Sequence, residues 1–264
     1  MIEQAAIKAL HKRHDYTVLN CMTEEPDTLP DGTGRKDKKQ VVLPDVMLES
    51  LCRINPDIPE QTVRMVVDEL CHTPVSGDLM QTNYQNYQKI RNGITVEYNK
   101  NGKKTSNILR LLSYNDALSN TFTVASQMWI KGETHWRRPD LIIFINGFPL
   151  VFIELKNSNI PVKNAYDINL KNYLKDIPYL FNYNQICVLS NGMETRLGSF
   201  AAGYEFFFEW LKVENEKENP DRKAIRENCT SLEYFIAGLC EPKNLLDYIE
   251  NFILYDRRRT KIIA

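Results

Sequence analysis

The sequence predicts an α/β fold in which a mixed central sheet is flanked by helices and followed by a small C-terminal helical region. The middle of the chain holds apolar stretches of β-type composition, and amphipathic helical segments lie before, between and after them. Two of the stretches are apolar on both faces, which is typical of central strands covered on each side. With 264 residues, 43% of them hydrophobic, the chain is long enough for one principal core.

The N-terminal part is predicted to be helical, with one hairpin. Apolar residues recur at helical spacing in four segments, and a charged segment rich in Pro and Gly after the first of them is typical of an exposed loop. Asn101-Gly102 has the composition of a hairpin turn. The predicted elements are a helix at 2–14, a loop at 23–40, helices at 45–53, 60–71 and 84–91, and hairpin strands at 94–98 and 107–112.

The C-terminal half is predicted to alternate strands and helices. Asn146-Gly147, a strong hairpin motif, joins two apolar strands that lie between Asp140 and Lys156. The other predicted elements are a strand at 122–130, a helix at 164–175, a strand at 185–190, an aromatic core segment at 204–211, a linker at 214–223 and helices at 230–239 and 242–251. We expect one domain over residues 1–213, with a helical and hairpin part at 1–115, and a linker with helices over 214–264.

Composition argues against several classes of protein. The formal net charge is −1, so DNA binding would require a local basic surface or partner subunits. The six cysteines form no CxxC pair and the four histidines are scattered, which argues against a zinc site. The charged N-terminus is unlike a signal peptide, and no apolar stretch approaches the ~18 residues of a membrane span. We therefore expect a cytoplasmic protein with no membrane partner.

Three ionisable residues stand at the ends of the two apolar hairpin strands. Counting from a turn near Gly147 places Asp140 opposite Glu154, with Cβ atoms about 5 Å apart. Because strands have a period of two, Glu154 and Lys156 share a face. Two such carboxylates repel each other, and a divalent cation would relieve the repulsion. A Glu-x-Lys pair at a strand end is also commonly a solvated salt bridge, so spacing alone leaves a metal-dependent nuclease and a structural ion pair equally open.

A longer set of residues resembles the N-terminal endonuclease domain of type I restriction enzyme R subunits, which belongs to the PD-(D/E)xK nuclease superfamily. The resemblance covers most of the chain and is strongest over about 115–210. The residues that carry it are Asn120-x-Phe-x-Val with Gln127, Arg137-Arg-Pro-Asp140, Asn146-Gly-Phe-Pro-Leu150, Ile153-Glu-Leu-Lys156-Asn, Asn172-Tyr173, Asp176-Ile-Pro178 and Ser190-Asn-Gly192. The resemblance implies a restriction-endonuclease-like sheet and a nuclease active site.

The resemblance also implies how that site works. Asp140 and Glu154 would bind Mg²⁺, for which Mn²⁺ can substitute, and the Leu155 carbonyl would assist. Lys156 would orient or activate the attacking water. An acidic residue on the first helix often completes the site, and Glu3 is the matching candidate. Glu3 has an alternative interpretation as a negative charge favoured by the helix dipole.

A helical Gln-x-x-x-Tyr motif follows the third catalytic residue in this family. The equivalent residues here are Asn169 and Tyr173, four positions apart and therefore on one helix face. Asn keeps the amide of Gln but is one methylene shorter. We expect both side chains to face the catalytic pocket, where the resemblance gives them a supporting role in catalysis. Tyr173 has an alternative interpretation as an amphipathic surface residue.

The resemblance implies double-stranded DNA as the substrate, with no base-specific recognition by this domain. Modification and specificity subunits would choose the site, and ATP would bind only to translocase domains of the full-length subunit. Asn101-Gly-Lys-Lys-Thr-Ser106 is similar to a phosphate-binding loop, but it is predicted to form a hairpin turn and not a nucleotide site. Two alternatives stay open, namely a related repair or junction nuclease, and a docking domain whose nuclease site is silent.

Overall fold

The computed structural model describes residues 2–72, 77–215 and 217–256 and the backbone of 261–263. The strands are β1 Thr17–Asn20, β2 Ile94–Lys100, β3 Lys103–Leu109, β4 Phe122–Ser126, β5 Ile130–Lys131, β6 Trp136–Arg137, β7 Leu141–Ile145, β8 Phe148–Leu155, β9 Ile186–Ser190, β10 Thr195–Gly198, β11 Phe208–Glu209, β12 Leu254–Asp256 and β13 Lys261–Ile263. The helices are α1 Ile2–His14, α2 Pro44–Ile54, α3 Glu60–Cys71, α4 Leu79–Asn92, α5 Lys171–Asp176, α6 Arg222–Glu227, α7 Ser231–Gly238 and α8 Pro242–Asp247.

The main sheet has seven strands in the order β1-β4-β7-β8-β9-β10-β11. Strand β1 is parallel to β4, and β8 is parallel to β9, whereas the other neighbouring pairs are antiparallel. Helix α1 contacts β1 and α7, and α7 contacts β10. The predicted α/β class with a mixed sheet flanked by helices is confirmed.

The β7–β8 hairpin forms the middle of this sheet. All of β7 is buried, and so is β8 up to Glu154, because these strands have neighbours on both sides and apolar residues on both faces. Asn146 and Gly147 form the turn with positive φ angles of 50° and 82°. A Cβ atom on Gly147 would lie 2.6 Å from the Leu43 carbonyl oxygen, so glycine is required by space as well as by φ. The predicted hairpin is therefore confirmed.

A β-bulge sets the register of the two strands at the end that carries the ionisable residues. Next to the turn, Ile145 pairs with Phe148, and the register shifts by one between Ile143 and Phe144. Beyond the shift, Leu141 pairs with Ile153. Without the extra residue of the bulge, Asp140 would continue the register opposite Ile153. With it, the next position places Asp140 opposite Glu154.

The segment after β8 differs from the single α-helix predicted over 164–175. Residues Ala165–Leu170 form a π-helix, which continues directly into α5. The π-helical segment contacts β8 and β9, so it lies against the strand that carries Glu154. A π-helix is wider than an α-helix and is frequent at functional sites. The position of the predicted helix is confirmed, and its geometry is not.

The predicted strand at 122–130 is wrong in its middle. Strand β4 ends at Ser126, where Gln127 adopts a left-handed backbone with φ 55°, and extended structure resumes only at Ile130. The predicted exposed loop at 23–40 has no helix or strand but is partly buried. Asp31 accepts hydrogen bonds from Arg35 at 2.6 Å and from Lys38 at 2.7 Å, and all three side chains are almost fully buried. The amino-acid composition of a segment does not distinguish a buried ion cluster of this kind from a series of charged residues exposed to solvent.

Other differences lie towards the C-terminus. The aromatic segment 204–211 consists of a 3₁₀ turn and the short strand β11, and it is not all core, since Phe206 and Phe208 are 59% and 37% exposed while Phe207 is buried. The predicted linker at 214–223 runs into α6, and the predicted helix at 242–251 changes from α-helix to π-helix at Tyr248. Strands β1 and β10 were not predicted. In the part of the chain that the structure describes, no helix is long and apolar enough to cross a membrane.

Candidate active site

Asp140 and Glu154 form the centre of the candidate site at the end of the β7–β8 hairpin. The Leu155 backbone N–H donates a hydrogen bond of 2.7 Å to Asp140 Oδ2 and so fixes one carboxylate against the neighbouring strand. Glu154 is only 2% exposed. Its Oε1 accepts a hydrogen bond of 2.7 Å from Lys156 Nζ. Its Oε2 is buried and has no hydrogen bond of normal geometry, although the Tyr173 hydroxyl lies close enough to lower the pKa of Glu154. A buried carboxylate oxygen without a donor is costly unless a cation or water completes it.

The electrostatics of the pair agree with this geometry. The pKa of Glu154 rises from 4.5 to about 7. Burial is the largest cause of this rise and the negative charge of Asp140 is the second, whereas the ion pair with Lys156 lowers the pKa. Burial also raises the pKa of Asp140, while the hydrogen bond from the Leu155 N–H opposes the rise. Both carboxylates therefore ionise less readily than they do in water, and a bound cation would reverse that effect.

Lys156 follows the last residue of β8 and is held there by the parallel neighbour strand. Its backbone N–H donates to the Ser190 carbonyl oxygen at 2.8 Å. Its ammonium donates to Glu154 Oε1 and, at 3.3 Å, to the Leu155 carbonyl oxygen. The side chain is 18% exposed, so the ammonium lies at the edge of the pocket. Lys156 thus contacts the Glu154 carboxylate and the Leu155 carbonyl, which are two of the three predicted metal ligands.

Glu3 lies near the pair, on the first turn of α1. Gln127 Nε2 donates a hydrogen bond of 2.7 Å to Glu3 Oε2. Burial raises the pKa of Glu3, the hydrogen bond from Gln127 lowers it, and the charge of Asp140 raises it further. The structure therefore places Glu3 near Asp140, and Gln127, which was not predicted to belong to the site, lies between them.

Tyr173 and Asn169 lie on the other side of Glu154. Tyr173 is 6% exposed, and its ring packs edge-on against Phe152 at a centroid distance of 5.4 Å. Its hydroxyl donates to the Arg138 carbonyl oxygen at 3.2 Å. Burial, and after it the charge of Glu154, raise the pKa of Tyr173 well above 10.0, while a side-chain hydrogen bond with the half-buried Asn169 opposes the rise. Asn169 is thus close to Tyr173, although one residue lies on the π-helix and the other on α5.

The two arginines before Pro139 have different surroundings. Arg137 donates to Asp176 Oδ2 through Nε at 2.6 Å, and Asp176 is buried, so Arg137 is part of a structural ion pair. The guanidinium of Arg138 instead lies over the Trp129 ring at 4.8 Å from its centroid. Its positive charge acts on both Asp140 and Glu3. Arg138 has no ion-pair partner within 4.0 Å among the residues that the structure describes, so its charge is available beside the site.

The residues present fit a Mg²⁺ ion bound partly through solvent or substrate. Across the described residues, no group of three or more His, Cys, Asp or Glu side chains is arranged to hold a metal. Lys156 Nζ contacts both Glu154 Oε1 and the Leu155 carbonyl oxygen, and Asp140 Oδ2 accepts from the Leu155 N–H. Two carboxylates and one backbone carbonyl are therefore neighbours, and Glu154 Oε2 has no hydrogen bond of normal geometry. Mg²⁺ commonly takes only one or two carboxylates and keeps water or phosphate oxygens as its other ligands. The donor set is therefore of the kind that Mg²⁺ prefers.

The known proteins that this chain resembles are subunits of type I restriction enzymes. The family model described as type I restriction enzyme R protein N terminus matches residues 1–206, and the chain belongs to that family. This membership confirms the resemblance on which the sequence analysis relied. All of the residues discussed above at the candidate site lie within the matched range.

Individual relatives agree with the family. The chain is 35% identical over 230 residues to the type I restriction enzyme HindI endonuclease subunit of Haemophilus influenzae, covering 85% of this chain and 21% of that protein. It is 29% identical over 279 residues to the putative MjaIXP endonuclease subunit of Methanocaldococcus jannaschii, covering 100% of this chain and 26% of that protein. A Staphylococcus aureus subunit, SauCOLORF180P, is 40% identical over 160 residues, covering 58% of this chain and 16% of that protein. The chain thus spans about a quarter or less of these relatives.

Proposed function

We propose that this chain is the Mg²⁺-dependent endonuclease domain of a type I restriction R subunit and hydrolyses phosphodiester bonds in double-stranded DNA. The observation that carries the proposal is the buried Glu154 Oε2 without a donor, next to Asp140 and with Lys156 on the other oxygen. A structural salt bridge would leave no reason for the second carboxylate opposite the first. The names of the relatives, all endonuclease subunits, support the same reaction.

The protein groups have separate roles in this proposal. Asp140, Glu154 and the Leu155 carbonyl would hold Mg²⁺ or Mn²⁺, which when bound supplies Lewis-acid stabilisation of the phosphate and of the attacking oxygen. Lys156 holds a water for in-line attack and places a positive charge where negative charge develops on the phosphate. The Tyr173 hydroxyl and the Asn169 amide keep the Glu154 side of the pocket in place. Glu3 adds a further carboxylate from α1.

Binding to DNA would use the phosphate backbone and not the bases. Arg138 lies beside the two carboxylates with its guanidinium stacked on Trp129, and a guanidinium is well suited to a phosphate. Backbone contacts carry no sequence information by themselves, so the domain would cut without a specificity of its own. Modification and specificity subunits would select the DNA, and ATP would act only through other parts of the full-length subunit.

The experiment that tests the proposal is plasmid nicking in Mg²⁺ or Mn²⁺, with this chain alone and with the full-length subunit assembled with its partners. Asp140→Ala, Glu154→Ala and Lys156→Ala should each abolish cleavage by the assembled enzyme and leave its ATP hydrolysis unchanged. The reason is that these side chains carry the cutting chemistry, whereas ATP would act through other parts of the full-length subunit. Calorimetry with Mn²⁺ should show a binding site that Asp140→Ala removes.

Matched controls separate the site from general changes in charge. Asp68 and Lys103 are exposed and lie on α3 and β3, outside the contacts that define the candidate site. Asp68→Ala and Lys103→Ala should therefore cut and bind Mn²⁺ like the unmodified chain. The proposal fails where Asp140→Ala leaves the Mn²⁺ isotherm unchanged, or where any of the three site variants cuts at the normal rate.

A further inference from the structure

We propose that Gln127 is a positioning residue, whose side-chain amide joins Asp140 of the β7–β8 hairpin to Glu3 of α1. This inference rests on the proposed nuclease function and adds to it a residue that no comparison assigns. The amide would keep two like-charged carboxylates close enough to act on one cation. Without it, the positive charge of Arg138 would be left to oppose the repulsion between Glu3 and Asp140.

Three contacts place Gln127 between these elements. Its backbone N–H donates to the Asp140 carbonyl oxygen at 3.1 Å. Its Nε2 donates to Glu3 Oε2 at 2.7 Å. The Gln127 side chain also lies close enough to the Asp140 carboxylate to lower its pKa. One residue therefore lies against Asp140 at both its backbone and its side chain, and it reaches α1 at the same time.

The chemistry of the amide suits this position. Ionised carboxylates can only accept hydrogen bonds, and the NH₂ group of glutamine offers two donors on one nitrogen without adding charge. Gln127 can therefore serve both acids at once. A lysine would compete with the metal for the carboxylates, and a glutamate would bring a third negative charge. Residues of this kind, which orient groups that bind a metal, commonly change metal affinity by about 10–100-fold when they are replaced.

The backbone of Gln127 indicates that a fold requirement alone does not explain the residue. Its φ of 55° lies in the left-handed region, which glycine and asparagine adopt more readily than glutamine does. If only the turn after β4 mattered, glycine would serve better. Strained backbone that persists at a non-glycine residue is concentrated at functional sites. The side chain is thus the reason for glutamine at this position.

The test replaces Gln127 by residues that suit its backbone but cannot make the link. Gln127→Gly removes the side chain and Gln127→Asn shortens it by one methylene. Because both favour positive φ, the gain at the backbone offsets part of the lost hydrogen bond to Glu3, and the melting temperature should change by only a few degrees. Mn²⁺ affinity, measured by calorimetry, should fall at least about tenfold, and plasmid nicking should fall with it. Asn101→Gly is the matched control, since Asn101 is also non-glycine and left-handed at φ 53° but lies in the β2–β3 turn. It should change neither Mn²⁺ affinity nor nicking.

A second measurement does not depend on metal. Hydrogen–deuterium exchange in EDTA should increase in the first turns of α1 in Gln127→Gly and stay unchanged in Asn101→Gly, because the link from Glu3 to the hairpin is lost. Unchanged exchange, or unchanged Mn²⁺ affinity, would overturn the positioning role. If the unmodified chain binds no Mn²⁺, the proposed metal site fails, and the exchange experiment alone decides whether Gln127 links the two elements.

Discussion

Glu154→Gln should stabilise the metal-free protein at alkaline pH, although it removes a residue at the centre of the candidate site. The Glu154 carboxylate is buried, faces the charge of Asp140, and has one oxygen without a donor. Folding therefore penalises its ionised form. Glutamine has nearly the same shape and carries no charge, so the variant avoids that penalty.

The magnitude follows from the rise in the pKa of Glu154 from 4.5 to about 7. Between these two pH values the folded protein binds more protons than the unfolded chain does, so the free energy of unfolding falls as the pH rises. One pKa unit corresponds to about 1.4 kcal/mol, so the full cost above pH 7 is on the order of 3 kcal/mol. Below pH 4.5 the carboxyl is protonated in both states and the cost disappears. The stability difference, variant minus wild type, should grow by about 2–3 kcal/mol between pH 5 and pH 8.

The assay is urea unfolding of both proteins at pH 5 and pH 8 in EDTA. The attraction of Lys156 for the ionised carboxylate lowers the pKa of Glu154 and is therefore already included in this magnitude. Adding Mn²⁺ should stabilise the wild type and leave the variant nearly unchanged, since a ligand stabilises only the state that binds it. A stability difference that is the same at both pH values would refute the reasoning. A difference that shrinks at pH 8 would do so as well.

Three further predictions concern the surroundings of the site. Arg138→Ala should weaken DNA binding and reduce its salt dependence by about one phosphate contact. Arg137→Ala should mainly lower the melting temperature, because it removes a partner of a buried carboxylate. Binding titrations at several salt concentrations and thermal melts distinguish the two variants, and equal salt slopes for Arg138→Ala and the unmodified protein would contradict the assignment. Asp31→Ala should cost about 3 kcal/mol in urea unfolding, since two buried cations lose their shared carboxylate, and a cost below about 1 kcal/mol would argue against this interpretation. Tyr173→Phe should slow plasmid nicking at a cost of only about 1 kcal/mol in stability, while Asn169→Gln should cut normally; a Tyr173→Phe protein that cuts at the wild-type rate would remove the hydroxyl from the mechanism.

The opposed carboxylates could be predicted from the sequence because the information is local. Asn146-Gly147 fixes a turn, and the period of a strand fixes which residues share a face. The prediction nevertheless depended on a compensation that the sequence does not show. The turn alone would place Asp140 one residue out of register with Glu154, and the bulge between Ile143 and Phe144 restores the pairing. Neither the turn nor the strand period reveals this bulge, and Pro149 beside it is the only local sign, since proline inside a central strand is confined largely to bulges.

Features that depend on contacts between distant segments could not be predicted in this way. Gln127 reaches Glu3 across 124 positions of the chain, and its place depends on a left-handed residue inside an apparently continuous strand. The burial of Asp31 and Arg35 in a Pro- and Gly-rich segment depends on Trp129, whose carbonyl oxygen accepts from the guanidinium at 3.1 Å. Local composition describes the polarity of such residues but not the partner that removes them from water.

The donors around the carboxylates explain how this arrangement can fold before a metal is present. The Asp140 carboxylate accepts from the Leu155 N–H, its backbone carbonyl accepts from the Gln127 N–H, and Glu154 accepts from Lys156. The groups that repel each other are therefore each bound to something else. One oxygen of Glu154 is left over, buried and without a donor. If every oxygen had a donor, the cluster would be more stable and would have less to offer a cation. The incomplete hydrogen bonding at Glu154 therefore lowers the stability of the metal-free protein and at the same time leaves an oxygen for a cation. The pH dependence of the stability of Glu154→Gln measures the first effect, and its response to Mn²⁺ measures the second.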